Sequence, residues 1–559
     1  MANSIAHRTG RRSRLQELPF FAVIALLLAA FGLALTSAIQ KSPTMDEQNH
    51  IARGAAYLGT GDPRLSVEHP PVINVLSALP AHLLLDLQLP LDEWWEVGEW
   101  YHFADSFLWR TNDHPDRIVF LARLPIIGLV VLLISLVFRW ASSSHGRWGA
   151  LLAASFVAFD PNVLAHGRLS TTDLGGAFFV FLAAYAFWRL SQCITLAHLV
   201  AAGVTLGLAF ASKLSALAFG PVLGLAFVLE PLVGGKKDRV WPPFRRLGLL
   251  ALAAASASLV VWASYGFSIG PVEGFGARVP APPYVRGLLA VFDLAGGGRP
   301  AYLMGQLSNE GWWYYFPVAF LVKTPVPTLL GLLLATGMLL FRPRSDDLFL
   351  CLPPLVFFLA TTTTRLNLGY RHLLPLLPFL ATHIGRIAQF PAVGSRGIRC
   401  PRYLLWRLVP AILGIWLAIS CLAIYPHYLA YFNAIGGGPD NGWRILVDSN
   451  IDWGQDLKGL RRWMEMVGVE RVNLAWFGSA PPEAYGIDHQ LLPGVPHGFN
   501  LWQEPPFDRH QPEPGVYAIS VTNLVGAILP DPDLYAWFRQ RVPDQRIGHS
   551  IFIYRVPAP

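Results

Sequence analysis

Long apolar runs separated by short polar connections dominate the chain. A bilayer core needs about 20 mostly apolar residues per crossing helix, and eleven runs come near that length. The predicted spans are 18–40, 118–138, 148–164, 173–190, 194–212, 214–233, 247–268, 313–340, 348–364, 371–388 and 408–425. This pattern predicts a polytopic all-α membrane protein with about eleven transmembrane helices.

The composition indicates the same class of protein. Apolar residues make up 53% of the 559 positions and charged residues 14%, against about 25% charged in an ordinary soluble protein. A single soluble globular domain is therefore excluded, and so is a disordered chain, which needs low hydrophobicity and high charge. The net charge of +7 is spread in clusters between the apolar runs, so it does not indicate nucleic acid as a partner. The four cysteines predict neither a disulfide framework nor a metal-spaced cluster.

The placement of charge predicts how the chain crosses the membrane. If residues 1–17 are cytoplasmic, Lys and Arg gather in the connections on that same side, whereas the opposite loop 41–117 holds twelve acidic and five basic residues. Positive charge favours the cytoplasmic side. An odd number of spans then puts the C-terminus outside the cell.

The chain divides into a membrane part and a soluble part. We expect a catalytic transmembrane domain over 18–425, with long outer loops at 41–117 and 269–312, because loops of that length usually carry function. Residues 426–559 predict a small extracytoplasmic α/β domain. Its expected strands are 444–447, 472–476, 516–521 and 550–556, and its expected helices are 455–467 and 533–541. The run Asp448–Asp456 lacks the Gly and Glu of a calcium loop, and we predict a strand ending at Asp448 and a helix capped by Asp452.

The first candidate site follows the first span directly. Asp46 and Glu47 are adjacent carboxylates in apolar surroundings, a setting suited to a general base near neutral pH. In a helix, Asp46 and His50 would share one face. The alternative is that the two acids only start an interfacial helix and favour its dipole.

Further polar residues gather at the predicted outer ends of helices. Glu68 and His69 precede two prolines that fix the chain direction, and they are either a metal or donor ligand pair or part of a solvated turn. Asp173 opens a span, where it either caps the helix with Ser170 or acts in a site. The basic residues either extend to the interface or form a phosphate site; they are Lys213, Lys323, Arg365, Arg371 and His372.

Taken in order, these motifs resemble a known superfamily. An Asp-Glu pair after the first span, a Glu-x-Pro-Pro turn at Glu68, Asp173 opening the fourth span and the run Asn367–Pro378 are its marks. The chain over 15–425 resembles the bacterial, glycosyltransferase family 39-like members of the protein O-mannosyltransferase and aminoarabinose-lipid A transferase superfamily. These are the polytopic GT-C glycosyltransferases.

The resemblance implies a sugar transferase in the bacterial inner membrane. The donor would be a polyprenyl-phosphate-linked sugar, and the acceptor an unspecified hydroxyl of a lipid, glycan or protein. This hydroxyl would attack the sugar on the extracytoplasmic side, with inversion. Asp46 would be the base with Glu47 beside it, and Asp173 would assist. Arg371 would hold the donor phosphate, joined by His372, Lys213 and Lys323. His69 stands where the aminoarabinose transferases have a lysine. Some relatives bind a divalent metal near the residue that corresponds to Glu68, so a bound metal is left as an alternative.

Two other functions compete with this interpretation. An oligosaccharyltransferase-like enzyme would use a lipid-linked oligosaccharide, but the expected Trp-Trp-Asp motif is not matched at Trp94-Trp95-Glu96 or at Trp312-Trp313-Tyr314. A secondary transporter would show matching halves and ionisable groups near the midplane. The polar residues here lie instead near the predicted outer surface.

Overall fold

The computed structural model describes residues 2–234, 243–341, 343–389, 401–494 and 507–558. Helices form nearly all of the first part of the chain. The first eleven are α1 Ala2–Ile39, α2 Glu47–Thr60, α3 Pro71–Leu84, α4 Glu93–Val97, α5 Trp100–Asp105, α6 Pro115–Ala158, α7 Pro161–His166, α8 Thr172–Gln192, α9 Leu196–Phe210, α10 Phe219–Gly234 and α11 Pro243–Ser264.

The helical part continues to residue 423, with two short hairpins in the stretch 269–312. The further helices are α12 Pro282–Gly297, α13 Tyr315–Lys323, α14 Val326–Phe341, α15 Asp347–Thr361, α16 Leu377–Ile384 and α17 Pro401–Ala423. The hairpins pair β1 Ile269–Gly270 with β2 Val279–Pro280, and β3 Ala301–Leu303 with β4 Gln306–Ser308.

Several of these helices have the length and composition of membrane spans. Among the described residues, five qualify: Pro19–Ile39, Pro115–Ala158, Thr172–Gln192, Leu214–Val233 and Phe244–Ser264. The pair α13 and α14, bent by 108°, counts as a sixth if it is one broken span. Shorter apolar helices lie at Pro71–Leu84, Leu196–Phe210, Asp347–Thr361 and Leu408–Ala423. Several membrane-crossing helices are therefore confirmed, whereas the number eleven stays a prediction.

Helix α6 joins two of the predicted spans. The sequence predicts a connection between them at 139–147, but this stretch is helical up to a single break at Gly146, which adopts φ 76°. The reason is local: residues 139–145 contain neither proline nor glycine, so nothing ends the helix before Gly146.

The stretch 41–117, predicted to be an outer loop, is folded into helices α2 to α5. Pro71 occupies the first position of α3, where its missing N–H costs nothing. Helices α2 and α3 pack so closely that a Cβ on Gly54 would lie 2.0 Å from the backbone oxygen of Asn74. Glycine is therefore required at this contact, which fixes α3 against the helix that follows Asp46.

The C-terminal part forms a mixed five-stranded sheet with helices. Its elements are α18 Leu457–Val467, β5 Arg471–Ala475, β6 Asp488–Leu491, β7 Gly515–Ser520, α19 Val521–Leu524, α20 Ala536–Arg539, β8 Gln545–Ile547 and β9 Ile551–Val556. The strand order is β6-β5-β7-β9-β8, with β5 parallel to both neighbours and β9 antiparallel to both of its own. Apolar residues of α18, such as Leu460 and Met464, are buried with Leu474 and Ile553 of the sheet. The predicted α/β character is confirmed.

Two local predictions in this part were wrong. Residues 444–447 do not form a strand; a 3-10 turn covers Gly442–Arg444. Helix α18 follows Asp456 rather than being capped by Asp452. The reason is that both acids have other partners: Asp452 accepts a hydrogen bond from the Thr522 amide over 3.0 Å, and Asp456 pairs with Lys41.

Candidate active site

Asp46 lies at the point where the chain leaves α1 and enters α2. Its backbone oxygen accepts hydrogen bonds from the amides of Asn49 and His50, over 3.1 and 3.2 Å. Its carboxylate makes no capping bond to the helix, although an Asp at this position usually makes one. It accepts instead a hydrogen bond of 2.8 Å from Nη1 of Arg371. The side chain of Asp46 stays 30% exposed, so the carboxylate can be reached from solution.

Arg371 connects the two acidic residues of the site. It lies on the 3-10 turn Tyr370–Leu376, directly after Gly369. Its Nη1 is 2.8 Å from Asp46 Oδ2 and 3.8 Å from Asp173 Oδ2. The guanidinium also lies over the ring of Trp453, 4.3 Å from the ring centre. Such stacking fixes the plane of the guanidinium, while the N–H groups at its edge stay free to donate hydrogen bonds.

Asp173 lies in the first turn of α8 and pairs with Lys213. The lysine Nζ is 2.5 Å from Asp173 Oδ1, and Thr171 Oγ1 donates to Asp173 Oδ2 over 3.1 Å. The predicted cap by Ser170 is wrong, because the helix is preceded by Thr171 and Ser170 Oγ contacts Ser77 Oγ. Two cations and two carboxylates thus meet at this point.

Glu47 differs sharply from its neighbour Asp46. It is fully buried, and its two oxygens accept bonds from Nε and Nη2 of Arg123 at 2.8 and 2.7 Å. The amides of Thr44 and Ser170 also donate to it, at 2.8 and 2.9 Å. Burial acts to raise the pKa of Glu47, but the pairing with Arg123 and these bonds hold it below its ordinary value. Both carboxylate oxygens of Glu47 therefore bond to other groups of the protein. Glu47 has a positioning role, and neither oxygen is open to a substrate.

Arg123 also belongs to this surrounding, although it is not among the residues predicted from the sequence. Besides Glu47, it donates to the backbone oxygens of Ala38, Lys41 and Ser42. These bonds fix the link between α1 and α2, and hence the place of Asp46. A signal was present, because a charge inside the predicted span 118–138 is costly without a partner.

The turn at Glu68 and His69 lies beside the same cluster. The His69 ring meets the His50 ring edge-on with centres 4.7 Å apart, and His50 Nδ1 is 2.9 Å from Asn74 Oδ1. Burial, together with the nearby Arg53, lowers the pKa of His50 to about 4. Burial and the neighbouring positive groups also lower the pKa of His69 well below its ordinary value. Both rings are therefore neutral near pH 7.

Few possible metal ligands lie close together in the described part of the chain. No group of three His, Cys, Asp or Glu side chains lies close enough there to hold a metal ion. Glu68 lies near enough to Arg53 to interact with it electrostatically. The predicted metal role of Glu68 and His69 therefore has no third ligand among these residues.

Lys323 and His372 differ in how they relate to the cluster. The ammonium of Lys323 is buried and donates to the backbone oxygens of Leu429 and Asn450, at 2.8 and 2.5 Å. These two backbone oxygens already accept hydrogen bonds from the ammonium. The structure therefore gives no support to the predicted contact of Lys323 with a donor phosphate. The Nε2 atom of His372 is buried without a hydrogen-bond partner among the described residues, next to Arg371 in the chain.

Comparison with known proteins identifies a related family and similar folds. Residues 88–237, which include Arg123, Asp173 and Lys213, match the sequence model of the dolichyl-phosphate-mannose-protein mannosyltransferase family. No curated protein matches the chain in sequence.

Among solved structures, the chain is similar to ArnT from Cupriavidus metallidurans bound to undecaprenyl phosphate. The identity is 13% and the TM-score 0.48, over 95% of this chain and 97% of that one. It is also similar to the Archaeoglobus fulgidus oligosaccharyltransferase tethered with an acceptor peptide. There the identity is 15% and the TM-score 0.47, over 88% of this chain and 61% of that one.

The family match bears directly on the resemblance seen in the sequence. It covers less than half of the chain, but it includes the span that Asp173 opens and the lysine that pairs with it. Asp46, Glu68 and the run Asn367–Pro378 lie outside the matched residues. The resemblance to the GT-C glycosyltransferase superfamily is confirmed for residues 88–237, in a chain with several helices long and apolar enough to cross a membrane.

Proposed function

We propose that the protein transfers a sugar from a polyprenyl-phosphate-linked donor to a hydroxyl acceptor. The reaction takes place on the extracytoplasmic face of a bacterial inner membrane, with inversion at the sugar and Asp46 as general base. The contact between Arg371 and Asp46 carries this proposal, because it unites a proton acceptor and a phosphate-binding cation in one place, where the Asp46 side chain is 30% exposed. The matched family is named for a dolichyl-phosphate sugar, which supports a donor of this class.

The chemistry follows from the charges of the cluster. Asp46 removes the proton of the acceptor hydroxyl as the hydroxyl oxygen attacks the first carbon of the sugar. The bond from that carbon to the phosphate oxygen breaks, and polyprenyl phosphate leaves with the electron pair. Arg371 and Lys213 hold the phosphate as its charge grows, which is the preorganised stabilisation that contributes most in such sites.

In this scheme, Asp46 and the donor phosphate compete for Arg371. Without donor it pairs with Asp46 and interacts with Asp173. A donor phosphate offers the guanidinium the same type of oxygen in a bidentate arrangement. Donor binding therefore weakens the contact with Asp46 and leaves the carboxylate for the acceptor hydroxyl.

Neutral polar groups beside Asp46 suit a sugar. Three buried amide atoms on α2 and α3 have no hydrogen-bond partner among the described residues: Gln48 Nε2, Asn49 Oδ1 and Asn74 Nδ2. Buried polar atoms are nearly always paired in native proteins. Sugar hydroxyls both donate and accept hydrogen bonds, so they would satisfy such atoms. They could also bond to the neutral rings of His50 and His69.

The location at a membrane surface suits the donor. Its phosphate lies at headgroup level while its prenyl chain stays in the bilayer, so the site needs cations next to apolar helices. Arg371 and Asp173 lie at the start of helical segments that continue into apolar sequence. The Lys and Arg bias of the connections supports an extracytoplasmic position for these ends.

The experiment that tests the proposal is a donor panel. Purified protein is mixed with polyprenyl-phosphate monosaccharides that differ in the sugar, and release of polyprenyl phosphate is measured with and without candidate acceptors. Consumption of one donor supports the proposal. If no donor is consumed, and the protein instead carries solute across liposomes, the proposal is overturned in favour of a transporter.

A further inference from the structure

The segment Asp448–Asp456 has no role in the function proposed above. It has the sequence Asp-Ser-Asn-Ile-Asp-Trp-Gly-Gln-Asp and lies just before α18 of the C-terminal α/β part. Most of its residues are buried, and Trp453 is only 2% exposed. Its contacts reach both of the chain segments that carry the central pair of the site.

One set of contacts holds the backbone before Arg371. Ser449 Oγ donates to the Leu368 oxygen over 2.5 Å, and the Tyr370 amide donates to Asn450 Oδ1 over 2.9 Å. Gly369 lies between these two bonds at φ 129°. A Cβ on Gly369 would lie 2.5 Å from Ser449 Oγ, so this close approach requires glycine.

A second set holds the backbone before Asp46. The Met45 amide donates to the Trp453 oxygen over 2.8 Å, and the Ser42 amide donates to the Gln455 oxygen over 3.1 Å. Ser42 Oγ adds a bond of 3.0 Å to the Gly454 oxygen. At the end of the segment, the buried Asp456 pairs with Lys41.

The Trp453 side chain completes this arrangement inside the site. The Arg371 guanidinium lies 4.3 Å from its ring centre, and the His166 ring lies 6.2 Å away, edge-on. The indole therefore limits how Arg371 can turn while its Nη1 donates to Asp46. Tryptophan is the aromatic residue that attracts a cation most strongly.

We propose that the segment Asp448–Asp456 is part of the transfer site, with Trp453 as the positioning residue that sets the Arg371 guanidinium against Asp46. The inference rests on the proposed function for its meaning in catalysis. In this arrangement the C-terminal α/β part fixes the distance between the base and the phosphate-binding cation. The substrate group that it serves is the phosphate of the lipid-linked donor.

The test compares three variants of the full-length protein. Trp453→Leu removes the ring, Trp453→Phe keeps a smaller ring, and Trp463→Leu removes a buried indole of α18 that belongs to the apolar core of the C-terminal part. The probe is undecaprenyl phosphate, whose Kd is measured in detergent or nanodiscs. We expect about tenfold weaker binding for Trp453→Leu, about threefold for Trp453→Phe and no change for Trp463→Leu, as the loss of a partly desolvated cation–π contact implies.

A double-mutant cycle tests the same contact without any donor. The unfolding temperatures of Trp453→Leu, Arg371→Met and the double variant show whether the two side chains are coupled. Coupling supports the inference, and additive effects overturn it. If Trp453→Leu does not fold, the cycle and the binding measurement are made with Trp453→Phe.

The possible failures are distinct. If the unaltered protein binds no polyprenyl phosphate, the proposed function fails, and the cycle alone decides whether Trp453 positions Arg371. If the unaltered protein binds the probe and Trp453→Leu binds it equally well, the inference is overturned while the proposed function stands. Equal losses in Trp453→Leu and Trp463→Leu also overturn it, because they would reflect general destabilisation.

Discussion

Arg371 donates a hydrogen bond of 2.8 Å to Asp46, a residue 325 positions earlier in the chain. One partner precedes α2 in the first outer loop, and the other lies on a 3-10 turn before α16. The contact therefore joins two segments of the membrane part that lie far apart in the sequence. Lys213 and Asp173 from the middle of that part complete the cluster.

Removal of the Arg371 guanidinium should weaken donor use. Hydrogen bonds to charged groups contribute about 1.5–3 kcal/mol, so we expect Arg371→Gln to raise the donor KM by about ten- to a hundredfold. Arg371→Lys should restore it only in part, since an ammonium neither forks around phosphate nor stacks as well on Trp453. Steady-state kinetics at fixed acceptor concentration measure both.

The matched control for Arg371 is Arg365→Gln. Arg365 is exposed and donates a bond of 3.3 Å to the Gly296 oxygen. Its loss should leave the donor KM unchanged. A similar rise in KM for both variants would mean that general positive charge, rather than the Asp46 partner, binds the donor.

Lys323 should behave differently from Arg371. Its ammonium satisfies two buried backbone oxygens, and an unsatisfied buried acceptor costs about 1–3 kcal/mol. We therefore expect Lys323→Met to lower the unfolding temperature while the donor KM of the folded fraction stays unchanged. A raised KM without loss of stability would return Lys323 to the phosphate site.

The buried pair of Glu47 and Arg123 should make stability depend on pH. The pKa of Glu47 in the folded protein lies below its ordinary value of 4.5, so the pair contributes stability above that pH. The contribution is lost as the pH falls through the lower folded value. Breaking a buried pair costs about 3–5 kcal/mol, so Glu47→Gln should lower the unfolding temperature at pH 7.

The comparison is made by thermal unfolding between pH 7 and pH 3. The unaltered protein should lose stability in the acid range more steeply than Glu47→Gln, because the variant lacks the titrating group. Parallel curves for the two proteins would show that Glu47 does not carry this dependence.

The predicted orientation can be tested with single cysteines. Met466 is 79% exposed on α18, in the part predicted to lie outside the cell, and Cys193 is an exposed native thiol in a predicted cytoplasmic connection. A membrane-impermeant maleimide should label Met466→Cys in intact spheroplasts. Cys193 should react only after permeabilisation, and the reverse pattern would overturn the orientation.

The sequence predicted the broad architecture well because apolar length is a local property. Each predicted span falls largely on helical structure, and the α/β character of the C-terminal part follows from the β-branched runs at β5, β7 and β9. Apart from a helix considered after Asp46, the helices inside the loop 41–117 were not predicted, because short helices such as α4 and α5 have no long apolar signal. Their stability comes from packing against α2 and one another.

The site was predictable as a set of residues, but their roles were not. The motifs named Asp46, Asp173 and Arg371 together, and the structure brings these three together with Lys213. The difference between Asp46 and Glu47 depends on Arg123, which contacts only one of them across 76 positions. No local pattern contains such a contact, and the same holds for Trp453.

The most direct test of the account is sugar transfer by Asp46→Asn. The change removes the proton acceptor but keeps the size of the side chain, and Asp62→Asn is the control, since Asp62 pairs with Arg64 in the same outer loop. With the donor found in the panel, transfer by Asp46→Asn should fall at least a hundredfold while undecaprenyl phosphate binding persists, and Asp62→Asn should keep full activity. Full transfer by a folded Asp46→Asn protein would contradict the assignment of Asp46 as the base.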